Sequence, residues 1–145
     1  MASVNVQHPV AVGRRRLVVL AAAAVVAVVL NYLVAFGAVA LGADESFRPL
    51  TAPVFMPFTL IGLAAGFAGW TAVVRRSARP AAVLRVLVPV VLVLSMIPDL
   101  LLLATKFIPD TSGTAVAGLM VMHVVVTAVG VPAYRLARPE NVRAM

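Results

Sequence analysis

Four apolar runs, at about 17–41, 54–74, 81–103 and 114–136, take up most of this chain. Each exceeds the roughly 20 residues that an α-helix needs to cross a hydrocarbon core of about 30 Å. A chain of 145 residues with four such runs has little left over for anything else. It is 63% hydrophobic and 12% charged, with a mean hydropathy of +1.07. Soluble domains are nearer half apolar and a quarter charged, so the polar surface is too small to face water all round. The expected fold is all-α: a transmembrane four-helix bundle occupying 17–136, between an N-terminal tail (1–16) and a C-terminal tail (137–145).

The boundaries follow from charge and proline. Arg14, Arg15 and Arg16 precede the first run, which then continues for about 25 residues without a charge. Ala38-Val39-Ala40 resembles a small-residue cleavage site, and the paired arginines resemble a twin-arginine export signal. A signal's apolar region is only about 7–15 residues long, so retention as a membrane helix is the better reading. Asp44, Glu45 and Arg48 mark a short polar loop. Pro53 and Pro57 open the second run, where the missing N–H has no helical partner to lose. Arg75, Arg76 and Arg79 form a basic turn before the third run, and Lys106, Pro109 and Asp110 a second short polar loop before the fourth.

Orientation follows from the 12 basic residues. Only Arg48 and Lys106 fall in the loops after the first and third runs; Arg14–Arg16, Arg75, Arg76, Arg79, Arg85, Arg135, Arg138 and Arg143 all fall on the other side. The positive-inside rule then expects both termini in the cytoplasm. The net charge of +7 has the same origin and calls for no nucleic-acid partner.

The polar residues within these runs are few. Asp99 is the only acidic residue inside an apolar run, in Ser95-Met96-Ile97-Pro98-Asp99-Leu100. At 1.5 Å per residue, Asp99 lies about 21 Å from the arginine side and Asn31 about 22 Å, while His123 lies roughly 15 Å from the opposite side. Ser95 and Thr127 lie one turn from Asp99 and His123 on the same helix faces. A cluster of Asn31, Ser95, Asp99, His123 and Thr127 is geometrically open to the chain. Leaving such groups against lipid costs roughly 2.5–3.5 kcal/mol each for the charged types, which favours contact among them. The plainer readings are that Asp99 reaches interfacial water and that His123 makes one interhelical hydrogen bond. Pro98 cannot donate to the carbonyl of Leu94, so that carbonyl needs another partner.

Gly62 and Gly66 form a G-x-x-x-G step suited to close helix packing, read here as packing inside one chain. Met96, Met120 and Met122 with His123 have the donor types of a copper(I) site, but methionine as a gap-filling core residue is the simpler account. No metal or cofactor is expected. The chain has no cysteine, no phosphate-binding loop and no hydrolase or zinc-protease motif.

Leu94–Asp99, Leu119–His123 and the Arg75-Arg76 turn after Trp70 carry a resemblance. In these segments the chain resembles small four-helix integral membrane proteins of actinobacteria, catalogued as a domain of unknown function, over about 17–138. The resemblance implies a bacterial cytoplasmic membrane and supplies no activity. The leading expectation is a non-enzymatic membrane component, with the lipid bilayer and a second copy or another membrane protein as partners. The alternatives are a small transporter or proton-linked carrier using Asp99 and His123, and an intramembrane enzyme acting on a lipid-soluble substrate.

Overall fold

A computed structural model describes residues 9–137, with side chains from residue 13 onward. The described chain is helical, with α1 Pro9–Ala40, α2 Ala52–Arg76, α3 Pro80–Ser95, α4 Ile97–Thr105 and α5 Gly113–Leu136, and a short 3-10 turn at Arg48–Leu50. Four helical spans are long and apolar enough to cross a membrane: Gly13–Ala40, Ala52–Arg76, Pro80–Thr105 and Gly113–Leu136. The third of these combines α3 and α4. The chain is therefore an all-helical protein compatible with a multi-pass membrane protein.

Two boundaries differ from the sequence reading. The first helix starts at Pro9, so residues 9–16, expected in the tail, are helical. Charge ends the stretch that fits in lipid, but arginine is a good helix former and does not end the helix. The third run is not one helix. It breaks at Met96, where the amide bonds to the carbonyl of Val93 at 3.1 Å, and the helical ladder resumes with Leu100 on Met96. Pro98 explains the break, since it has no N–H to offer Leu94. Arg138, Arg143 and most of the expected C-terminal tail lie outside the described residues.

The helices meet through small side chains. Ala23, Ala27, Asn31, Ala35 and Ala38 are the buried residues of α1 and fall on one stripe. Helix α5 lies against that stripe so closely that a Cβ on Gly118 would sit 3.0 Å from the Cβ of Ala38. The opposite face of α1, with Val25, Val29, Leu33 and Phe36, is exposed. Both faces are apolar, and size rather than polarity separates them, as close packing in lipid requires. Helix α5 touches every other helix, whereas α3 is held loosely, with Leu84 its one buried residue.

Each end of the bundle has its own closure. The first helix ends in a Schellman motif at Gly42 (φ +99°), with Ala43 N–H on Ala38 and Gly42 N–H on Val39, both at 2.9 Å. That turn sends Phe47, fully buried, into a core with Leu50, Phe55, Leu102 and Met122. A second core of Ala27, Leu63, Trp70, Leu84 and Tyr134 fills the other end. There Arg16 Nε donates to the carbonyl of Ala137 at 3.1 Å, joining the start of α1 to the end of α5.

Candidate functional site

The break in the third apolar span places Asp99. Ile97 and Pro98 form the first positions of α4, and Asp99 follows in its first turn, where an acidic residue meets unpaired N–H groups. Its carboxylate turns inward against α5. His123 Nε2 lies 3.1 Å from Asp99 Oδ2. The atoms are at ion-pair distance but are not aligned as a hydrogen bond, so Oδ2 is buried without an aligned donor. The His123 side chain is 38% exposed and that of Asp99 12%, so the imidazole is the open member of the pair and the carboxylate the enclosed one.

The open side of His123 faces a cleft between α2, α3 and α5 of about 390 Å³. Apolar pockets of roughly 300–1,000 Å³ are the usual size for small-molecule sites. The walls are mainly aliphatic, with Gly62, Gly66 and Gly69 along α2 and Leu87, Val91 and Leu92 along α3. Ser95 and Thr127 line it beside His123. The hydroxyl of Ser95 donates to the carbonyl of Leu92 at 2.7 Å, and that of Thr127 to the carbonyl of His123 at 3.0 Å. With their protons committed to backbone, both hydroxyls have only acceptor lone pairs left. The proton of Ser95 does not go to the imidazole, so no Ser–His–Asp relay is assembled.

Of the five polar residues picked from the sequence, Asp99 and His123 touch, and Ser95, His123 and Thr127 share the cleft wall. Asn31 is placed elsewhere. It is 1% exposed, and its Nδ2 donates to Thr59 Oγ1 at 2.8 Å, while Thr59 donates to the carbonyl of Phe55. None of the described side chains of α1 lines the cleft. The vertical match between Asn31 and Asp99 says nothing about which neighbour each helix faces, and that is decided by the small-residue stripe on α1. Thr59 carries no sequence signal of its own, as a single hydroxyl in an apolar run.

Gly62 and Gly66 both face α5 of the same chain. A Cβ on Gly62 would meet Val126 at 3.6 Å; one on Gly66 would come within 2.6 Å of the Tyr134 hydroxyl. That hydroxyl also lies 2.8 Å from where a Cβ on Gly130 would sit, and it donates to the carbonyl of Leu63 at 2.8 Å. The rings of Phe67 and Trp70 flank the tyrosine ring, with centroids 5.7 and 5.9 Å from its own. Tyr134 lines the cleft at the end away from His123. Sequence reasoning missed it, although the glycine step on α2 pointed to the space it fills. Met122, considered above as a copper(I) donor, packs in the first core, and no group of three His, Cys, Asp or Glu side chains gathers among the described residues.

No curated protein and no solved structure matches the chain. Residues 11–140, nearly its whole length, match the sequence profile of a family of unknown function, DUF6069. With that match over the four apolar helical spans and both partners of the His123–Asp99 pair, the chain belongs to the DUF6069 family.

Proposed function

We propose that this protein is a small proton-linked carrier for a lipid-soluble molecule, with both termini in the cytoplasm. The observation that carries the reading is the position of His123, which has the buried Asp99 carboxylate on one side and an apolar cleft on the other. A packing subunit gains nothing from a titratable pair that costs several kcal/mol to keep in lipid. A carrier gains a proton-exchanging group that senses whether the cleft is filled. The mostly aliphatic lining suits an apolar substrate entering sideways from the bilayer, and the loosely held α3 is the element that would admit it. The arginines at the Arg16–Ala137 end support the cytoplasmic orientation.

The test is proton movement in liposomes loaded with a pH-sensitive dye. Wild-type protein is expected to dissipate an imposed pH gradient, and Asp99→Asn and His123→Ala to lose most of that flux. Equal rates for all three proteins would sink the carrier reading. The absence of cysteine allows single-cysteine accessibility labelling at Arg79 and Ser46 to check the orientation.

A second reading, a non-enzymatic membrane component acting by helix packing with itself or another membrane protein, draws on the wide apolar outer face of α1. Lipid covers such a face equally well, so the His123–Asp99 pair favours the carrier.

A further inference from the structure

The cleft does not stop at Trp70. A wider groove of about 970 Å³ opens at the arginine end, between the end of α2 and the start of α3. It shares Trp70, Leu84, Val88 and Val131 with the cleft beside His123, so the two adjoin along these side chains. Three guanidinium side chains line its mouth from three separate segments: Arg79 in the turn, Arg85 in α3 and Arg135 in α5. The Arg135 guanidinium is also set by Trp70, whose ring it overlies at 6.0 Å. Ala81 and Ala82, in the first turn of α3, line the same groove, so the positive end of that helix faces it too.

No carboxylate among the described residues pairs with these three arginines. Asp99 is against His123, and Asp44, Glu45 and Asp110 are in the loops at the other end. The positive-inside rule accounts for arginines on this side of the bundle. It does not account for their convergence on one groove, where like charges repel unless an anion joins them. Below the arginines the walls turn apolar, with Val74, Val88, Pro89 and Val131. From Arg85 to Ser95 the groove and cleft follow α3 for about 15 Å. An occupant that satisfies both parts has a phosphate at one end and a hydrocarbon chain at the other.

We infer that this groove and the adjoining cleft form a binding site for an anionic phospholipid, with its phosphate among Arg79, Arg85 and Arg135 and one acyl chain lying along α3 toward Ser95 and His123. The site names a ligand class for the cleft, and it rests on the reading above that the cleft admits a lipid-soluble molecule. Basic pockets between helices at a membrane surface recognise anionic head groups by this combination of charge and depth. A free phosphate would use the arginines alone and leave the apolar groove unexplained.

Trp70 makes the test direct, because it is the chain's single tryptophan and lines both parts of the groove. Its fluorescence is measured in proteoliposomes containing phosphatidylglycerol with dibrominated chains diluted in ordinary phosphatidylcholine, and in the reverse mixture. Quenching per brominated molecule is expected to be about fivefold stronger for phosphatidylglycerol, the effect of roughly one arginine's attraction at a membrane surface. Arg79→Gln/Arg85→Gln is expected to remove that preference while leaving chain quenching in place. Arg135 is left intact because it overlies the reporter. Gly69→Leu fills the cleft, its Cβ meets nothing within 4 Å, and it replaces a poor helix former, so it is expected to fold and to lose quenching by both lipids.

Equal quenching by the two lipids in wild type would overturn the anionic site while leaving an occupied cleft. Loss of the preference on adding inorganic phosphate would also overturn it, in favour of a free anion. Unchanged quenching in Gly69→Leu would mean that no chain enters the cleft, and would remove both the lipid site and the reading it rests on.

Discussion

His123 and Asp99 are held together by a break in the helix that carries the aspartate. Pro98 interrupts the third apolar span, α4 starts anew at Ile97, and Asp99 in its first turn meets the imidazole of α5 at 3.1 Å. If that contact orients the ring, the imidazole 15N resonances of His123 will move in Asp99→Asn. The chain has two histidines, so a His8→Gln background leaves one imidazole to observe. Resonances that are identical in the two proteins across the pH range would mean that the pair is adjacent but uncoupled.

Pro98→Ala tests the break itself. Alanine restores an N–H for the carbonyl of Leu94 and removes the main obstacle to a continuous helix. Amide exchange is expected to slow at residues 95–99, and the His123 signals to shift toward those of Asp99→Asn. A variant with the original His123 spectrum would show that α5, not the proline, sets the position of Asp99.

Tyr134 and Gly66 should show strong non-additivity. An added methyl at Gly66 would come within 2.6 Å of the tyrosine hydroxyl, and the hydroxyl holds the carbonyl of Leu63. Tyr134→Phe alone removes one interhelical hydrogen bond, worth about 0.6–1.5 kcal/mol. Gly66→Ala alone is expected to cost more, about 1–3 kcal/mol by overpacking. Together they should cost less than the sum, since the phenylalanine lacks the clashing atom. Thermal unfolding of the four proteins in one detergent measures the cycle. Strict additivity would rule out the close approach.

The four long apolar helical spans were legible in the sequence because apolar length is a single pattern that charges interrupt. Which face of each helix meets which neighbour was not, because both faces of α1 are apolar and only the Ala23–Ala38 stripe of small residues distinguishes them. Asn31 shows the consequence. Its depth matched that of Asp99, yet it turns to Thr59 on α2. The cost of leaving either alone in lipid favours contact between Asp99 and His123 without knowledge of the helix faces, but it leaves equally open that Asp99 reaches interfacial water, and the sequence alone does not choose. The helix break at Met96 was half legible. Pro98 marked a missing donor, but a single proline is also compatible with a continuous kinked helix.

The loops at the end away from the arginines are joined by one hydroxyl, and this gives the protein a pH-dependent contact outside its spans. Ser46 Oγ lies 2.7 Å from Asp44 Oδ1 and 2.9 Å from Asp110 Oδ2, and the Ser46 amide donates to Asp44 Oδ1 at 2.8 Å. A hydroxyl has one proton, so it can donate to only one carboxylate at a time. The side-chain hydroxyl of Ser46, followed by its amide, holds the Asp44 carboxyl below its ordinary value, against a small opposing effect of desolvation. A depressed folded pKa means that the contact stabilises the loop above the ordinary carboxylate range of about 3.9 and is lost as pH falls through the lower folded value. The loop between α1 and α2 is therefore expected to keep its order at neutral pH and to loosen only below about pH 4. In Ser46→Ala the Asp44 titration midpoint, read from its side-chain 13C signal, should rise toward the ordinary value without reaching it, because the amide at position 46 still donates. The amide signals of 43–47 should broaden at the same time. A midpoint unchanged by the substitution would assign the shift to donors other than the Ser46 hydroxyl, and would remove this hydroxyl as the link between the two loops.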